Sequence, residues 1–274
     1  MLLLSAPFDA AAVRPPRALV GGCGQVLLVV GPVAALGVAL EGVDPAWGGL
    51  GHALAAGSLQ AGLLAIGWLV ATGAGRGWRA PVSRLGITTV GATLIARLGQ
   101  WGPLAFVLIP LMLIREARGR VAIGAVGFCG ARPIHALTGT VAGGFIGAHL
   151  LVTASLTLGY HVHVSSLTVY LGALAYDVGA NVLSAEWLFR GALFTAVWRR
   201  SAFWPAATAT TALAILRYLL DPALPTAAEA RAGAVFYLGL VGLTACALRA
   251  WSGSLLPGYL AGLAFFAAYR MLTP

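Results

Sequence analysis

Charged residues are scarce in this chain, and lysine is missing altogether. Only 9% of the 274 residues are charged, whereas 59% are hydrophobic. No soluble fold buries so much apolar surface, so the composition excludes a soluble globular protein and indicates an integral membrane protein. The 17 basic residues are all arginines against 8 acids, so the formal charge of +9 persists at any relevant pH.

Cysteine is also rare. Cys23, Cys129 and Cys246 show no metal or redox spacing, and their odd number argues against a disulfide framework. The arginines cluster in short loops between apolar segments, a pattern that indicates membrane topology rather than nucleic-acid binding. The sequence therefore predicts no nucleic-acid partner, no metal site and no cofactor. The bilayer itself and another membrane protein or complex are the expected partners.

Hydropathy predicts an all-α, polytopic membrane helix bundle with about eight transmembrane segments. Arg76, Arg79 and Arg84 follow the second span, so the positive-inside rule places this loop and the N-terminus in the cytoplasm. We expect the bacterial cytoplasmic (inner) membrane as the location. The clear spans are 18–40, 50–72, 136–159, 166–198, 202–220, 232–248 and 254–271.

Residues 86–114 leave the topology open. Arg97 and the Trp101-Gly102-Pro103 break interrupt this apolar run, and a second arginine-rich loop follows it. Two successive basic loops cannot both be cytoplasmic if one helix crosses between them. Either the segment is a bent hairpin that returns to its own side, or one arginine loop lies outside. The sequence favours a broken or re-entrant element, because irregular backbone is tolerated where protein covers it.

Charged residues lie inside the apolar 166–198 span. Glu186 and Arg190 are four residues apart, so on a helix they share a face and are able to pair. Intramembrane charges indicate a functional site by default, although a buried pair is also able to serve packing alone. Asp177 and Asn181 form a second polar pair with the same spacing, which either faces other helices or lines a cavity.

Glycines recur at intervals of four on two predicted helices. Gly139, Gly143 and Gly147 lie on the first of these helices, and Gly258 and Gly262 lie on the last. Small residues at this spacing allow the backbones of membrane helices to approach closely. The glycine faces are therefore candidate contact surfaces, either within the chain or for a partner.

The segment Ala185-Glu186-Trp187-Leu188-Phe189-Arg190-Gly191-Ala192-Leu193-Phe194 resembles the first motif of the CPBP family, the CAAX-prenyl-protease-like and bacteriocin-processing intramembrane endopeptidases, which reads Glu-Glu-x-x-x-Arg. Residues 235–242, followed by Gly253-Ser254-Leu255-Leu256-Pro257, resemble the segment that leads into the last motif. The resemblance covers roughly residues 120–272. It divides the single membrane domain into N-terminal transmembrane segments (1–119) and a CPBP-like core (120–274).

The resemblance implies a site that activates water for peptide cleavage, and this chain departs from it at the catalytic positions. The first glutamate of the motif corresponds to Ala185. Arg217 lies where the Phe-x-x-x-His motif has its histidine, and Gly262 lies where the third motif has its histidine. No histidine follows His163, so the water activation typical of the family is not available.

These departures leave three hypotheses. In the first, the chain is a catalytically degenerate protein that binds, scaffolds or assembles another membrane protein. In the second, it is an intramembrane endopeptidase with a rewired site on Glu186, with His149 at a similar predicted depth. In the third, it is a transporter or a pigment- or cofactor-complex subunit that uses His52 or His149. The candidate catalytic residues are Glu186, Arg190 and His149, and the candidate cavity-lining residues are Ala185, Asp177, Asn181, Arg217 and Gly262.

Overall fold

The computed structural model describes residues 16–43, 45–73, 77–118, 127–128, 130–164, 166–219 and 228–273. It confirms the predicted all-α membrane bundle, because nearly all of these residues are helical. The helices are α1 (Pro16–Val43), α2 (Pro45–Thr72), α3 (Arg79–Ile95), α4 (Leu108–Ala117), α5 (Pro133–Thr157), α6 (167–198), α7 (Phe203–Leu219), α8 (Ala228–Ser252) and α9 (Leu256–Tyr269), with a 3₁₀ turn at Gly102–Val107.

The chain is an integral membrane protein. Among the described residues, the helices long and apolar enough to cross a bilayer are Leu19–Val43, Trp47–Thr72, Pro133–Thr157 and Ala228–Ser252. About 20 residues are needed to span the hydrocarbon core, and these four helices exceed that length. Their lipid-facing surfaces explain why side chains such as Leu28 and Leu156 remain largely exposed.

The described residues form two compact units. The N-terminal unit contains those of 8–124 and 171–188, and the C-terminal unit contains those of 125–170 and 189–274. Helix α6 begins in the C-terminal unit, belongs to the N-terminal unit at residues 171–188 and ends in the C-terminal unit. The division at residue 119 that the sequence suggested stays a prediction, whereas the packing groups residues 171–188 with the N-terminal helices.

In the N-terminal unit, residues 79–117 form a hairpin. After α3 the chain turns at 96–101 and returns through the 3₁₀ turn and α4, which pack against α3. Arg84 near the start of α3 donates two hydrogen bonds of 2.7 Å to the carboxylate of Glu116 at the end of α4. Because these two residues are in contact, the segment returns to the side from which it started. The structure therefore agrees with the hairpin alternative for residues 86–114.

In the C-terminal unit, α5 and α9 pack in parallel along the predicted glycine face. Gly139, Gly143 and Gly147 are buried against the backbone or small side chains of Pro257, Ala261 and Ala268, respectively. A Cβ atom on Gly143 would overlap the carbonyl oxygen of Ala261. The close helix contact expected from this spacing is thus made within the chain, and this face is not available to a partner.

The two ends of this parallel pair are each tied together. At one end, the Leu255 N–H donates to the carbonyl of Gly127 over 3.1 Å. At the other end, the short strands β1 (His161–Val162) and β2 (Leu272–Thr273) pair antiparallel, with His161 opposite Thr273. The segments that follow α5 and α9 therefore lie on the same side of the C-terminal unit.

Candidate functional site

Helix α6 contains a long run of buried residues, and it departs twice from α-helical geometry. The helix is α-helical at Leu167–Tyr176, Val182–Ala185 and Thr195–Trp198, and π-helical at Asp177–Asn181 and Glu186–Phe194. Residues 179–192 are buried without interruption. Burial of every side chain over several turns is typical of a helix in a protein interior, and π-helical turns occur frequently at functional sites. The predicted site residues of this span fall on or beside these two turns.

In the N-terminal unit, the first π-helical turn contains a buried aspartate that accepts a hydrogen bond from an asparagine of the same turn. Asp177 is 0% exposed, and its Oδ1 accepts a hydrogen bond of 2.9 Å from Nδ2 of Asn181. The i, i+4 pairing expected from the sequence is therefore present. The pair satisfies part of the hydrogen-bonding capacity that burial would otherwise leave unmet.

The turn at residues 177–181 is also fixed by close backbone packing. A Cβ atom on Gly179 would overlap the carbonyl oxygen of Phe106 in the 3₁₀ turn and would lie 2.9 Å from the Cβ of Phe106. A Cβ atom on Gly172, two turns earlier, would lie 3.1 Å from the Cβ of Pro103. The returning arm of the hairpin thus packs tightly on the polar turn, and its backbone contact at Gly179 leaves no room for a side chain.

A polar relay that the sequence analysis missed joins α6 to α2. Ser184 donates to Oε1 of Gln60, and Nε2 of Gln60 donates to the Tyr176 hydroxyl over 3.3 Å. Gln60 and Ser184 are 3% and 0% exposed. An amide in the middle of the 50–72 span is itself a usable signal, because polar side chains in membrane helices seek partners on neighbouring helices.

The retained motif residues are both deeply buried. Ala185 and Glu186 belong to the N-terminal unit and are 2% and 3% exposed, and Arg190 belongs to the C-terminal unit and is 4% exposed. Gly242 of α8 leaves room for the arginine, since a Cβ there would overlap Nη2 of Arg190 and lie 3.0 Å from Oγ1 of Thr211. The roles predicted for Glu186 and Arg190 stay predictions.

The two positions at which the sequence resemblance predicts that histidine is replaced, Arg217 and Gly262, lie in the C-terminal unit. Arg217 is 8% exposed, and its guanidinium carbon lies 4.3 Å from the ring centroid of Tyr218, which stacks on Phe266. Gly262 is buried on α9. A cation over an aromatic face is a stable arrangement inside a protein. Neither position offers a group that is able to accept a proton.

The histidines of the chain lie away from the buried interior. His135 is half-buried, and the other four are exposed: His52, His149, His161 and His163. Nδ1 of His149 lies 2.8 Å from the Tyr237 hydroxyl, and His52 Nδ1 lies 3.4 Å from Glu41. The catalytic and cofactor-binding roles considered for His149 and His52 stay predictions.

Comparison with protein families identifies a similarity in the C-terminal part of the chain. A family model described as "Type II CAAX prenyl endopeptidase Rce1-like" matches residues 168–265. Residues 168–265 are therefore similar to the Rce1-like endopeptidases. The Rce1-like region starts with α6, includes Ala185, Glu186, Arg190, Arg217 and Gly262, and lies within the 120–272 stretch that resembled the CPBP family. Searches among curated proteins and among solved structures gave no match.

Proposed function

We propose that this CAAX-protease-type membrane protein is catalytically degenerate and serves as a binding, scaffold or assembly subunit for another membrane protein or complex. The observation that carries the proposal is the set of residues at the water-activating positions, which are Ala185, Arg217 and Gly262. A methyl group and a hydrogen accept no proton, and an arginine stays protonated at any relevant pH. General-base activation of water by these positions is therefore excluded.

The packing of the Rce1-like region supports this proposal. Arg217 is buried over the ring of Tyr218, and no histidine of the chain is buried. The fold keeps the buried polar residues of α6, among them Asp177, Asn181 and Ser184, in hydrogen bonds. A membrane protein that keeps such a core without its reactive groups retains surfaces for binding but not the means to hydrolyse a peptide.

A rewired hydrolase is the second candidate, and the burial of Glu186 favours it. This carboxyl group is 3% exposed and begins the second π-helical turn. A desolvated carboxyl is a suitable general base when a second group orients the water. The experiment that separates the two candidates is therefore a cleavage assay.

The purified protein in proteoliposomes should cleave neither a farnesylated CAAX peptide nor a bacteriocin-type leader peptide. We expect product at the level of empty vesicles, because no group at the family's catalytic positions is able to activate water. Mass spectrometry of the peptides provides the measurement. Glu229→Gln is the matched control for Glu186→Gln, since Glu229 is an exposed acid. Cleavage that is lost in Glu186→Gln and kept in Glu229→Gln would establish the rewired hydrolase instead.

For the location, the proposal is the bacterial cytoplasmic membrane with a cytoplasmic N-terminus. The arginine loops on both sides of the 79–117 hairpin then face the same compartment, which the contact between Arg84 and Glu116 supports. Arg199 and Arg200 directly follow α6, and the positive-inside rule places them on the cytoplasmic side as well. The β1–β2 end of the C-terminal unit would face the opposite compartment.

Cysteine labelling tests this topology. In a variant without Cys23, Cys129 and Cys246, single cysteines at Arg79 and Arg118 should react with a membrane-impermeant maleimide only in inside-out vesicles. A cysteine at His163 should react only in right-side-out spheroplasts. These three positions are exposed in the structure. Reaction of the Arg79 and Arg118 cysteines from opposite sides would contradict the hairpin.

A further inference from the structure

The face of α5 opposite its glycines is mostly apolar and includes one histidine. The most exposed apolar side chains on this face are Val141, Phe145, Val152 and Leu156, at 61%, 72%, 59% and 80% exposure. His149 lies among them and is also exposed. From Phe145 to Leu156 the spacing is four, three and four residues, which is the heptad spacing of a helix seam with His149 in the middle. We call these five residues the His149 face.

The imidazole lies at a depth where the bilayer offers no hydrogen-bond acceptor. Helix α5 has 25 residues, and His149 lies two turns before its last residue, Thr157. A helix of this length exceeds the roughly 30 Å hydrocarbon core by only several ångströms, so His149 lies about 8 Å inside the boundary. A polar group in that environment needs a protein partner.

The hydrogen bonds of the imidazole determine which of its nitrogens carries the proton. Nδ1 lies 2.8 Å from the Tyr237 hydroxyl and 3.3 Å from that of Thr153. Tyr237 is 5% exposed, and the described residues offer its hydroxyl no other acceptor than Nδ1. A buried hydroxyl donates where an acceptor is present, so we assign the Tyr237 proton to this hydrogen bond. Nδ1 is then the acceptor, and Nε2 carries the ring proton.

The assigned tautomer determines the chemistry of the site. Because Nδ1 faces Tyr237 and the residue is exposed, we place Nε2 and its N–H on the lipid-facing side of the ring. In this tautomer Nε2 has no lone pair with which to ligate a metal. Two copies of the chain facing each other at His149 would bring two N–H donors together. The site thus fits an acceptor that comes from a different helix.

We propose that the His149 face binds a transmembrane helix of another protein, and that this helix carries a hydrogen-bond acceptor at the level of Nε2. The inference rests on the proposed binding function and names the surface and the chemistry of the partner. The apolar positions of the heptad pack against the partner helix. The single polar position fixes the register of the contact, as polar residues do in helix seams.

A synthetic helix tests this proposal in vesicles of phosphatidylcholine and phosphatidylglycerol. The probe is a 25-residue leucine–alanine helix with γ-methyl glutamate, an acceptor without a donor, at one of three neighbouring central positions. The control helix carries norleucine there. Energy transfer between the labelled protein and the labelled helix reports association. We expect the best-placed ester helix to associate about three- to thirtyfold more tightly than the control, which is the range of interhelical hydrogen bonds in membranes.

Two variants separate the hydrogen bond from folding effects. The double variant His149→Leu, Tyr237→Phe leaves no buried hydroxyl without an acceptor. It should bring the ratio of the two affinities, ester helix over control helix, close to one. Tyr237→Phe alone should lower the ratio, because nothing then fixes the tautomer. A ratio near one for the unaltered protein, or a ratio unaffected by the double variant, would overturn the proposal. Self-association that depends on His149 in the absence of probe would also overturn it and assign the face to a second copy.

The helix-association assay and the cleavage assay test the two proposals independently. Cleavage of a peptide would contradict the proposed loss of catalysis and leave the helix-binding face untouched. Absence of probe binding would contradict only the face on α5.

Discussion

Replacing Gly143 by leucine should prevent α5 and α9 from packing and lower the free energy of unfolding by about 3 kcal/mol. The Cβ atom alone would overlap the carbonyl oxygen of Ala261 and lie 2.6 Å from its Cα, so the two backbones would have to move apart. Flexible side chains relax around an added atom at a modest cost, but two helix backbones in contact have no such freedom. Unfolding in mild detergent, followed by circular dichroism, measures the effect.

The adjacent glycine gives a control for this substitution. Gly144 is exposed, and nothing among the described residues lies within 4 Å of the Cβ position. Gly144→Leu makes the same chemical change one residue further along the same helix, and we expect stability to stay the same or rise slightly. Equal stability of the Gly143 and Gly144 variants would show that α5 and α9 are not packed as described.

The second large effect is expected at Gly179, in the first π-helical turn. Gly179→Leu would force Phe106 and the returning arm of the hairpin away from α6, because a Cβ there overlaps the Phe106 carbonyl oxygen. We expect a loss of about 2–3 kcal/mol, measured by the same unfolding experiment. The loss should be accompanied by faster maleimide labelling of a cysteine at Leu104, which is 44% exposed on the 3₁₀ turn.

Gly86→Leu is the matched control for Gly179→Leu. Gly86 lies on α3 of the same hairpin, and nothing among the described residues lies within 4 Å of its Cβ position. Its substitution should leave both the unfolding curve and the labelling rate unchanged. If the Gly179 variant also behaved like the unaltered protein, the contact between the π-helical turn and the hairpin would be disproved.

These glycines show where sequence reasoning reached its limit. The four-residue spacing of Gly139, Gly143 and Gly147 correctly predicted close helix contact, but the same spacing suits an internal neighbour and an external partner equally well. The structure makes the neighbour α9. Gly179 and Gly242 gave no periodic signal, because each accommodates a single contact. Such contacts are specified by the approach of residues distant in sequence.

The hairpin and the histidine illustrate the same limit. The positive-inside rule left two alternatives for residues 86–114, and the pairing of Arg84 with Glu116 supplied the missing observation. For His149, equal depth along straight helices suggested Glu186 as a possible partner. Depth along a helix leaves its rotation undetermined, so a pairing with Glu186 stays a prediction, and within the C-terminal unit the ring lies against Tyr237.

The amino-acid sequence alone determined the membrane class, the helical fold, most of the helix positions and the relationship to CAAX-type proteases. These properties depend on hydropathy and on local motifs, which short stretches of chain carry by themselves. Only the tertiary structure decided which helix the α5 glycine face contacts, on which side the hairpin ends and which side chain the imidazole of His149 meets. Those properties depend on the relative rotation and register of packed helices, and hydropathy determines neither.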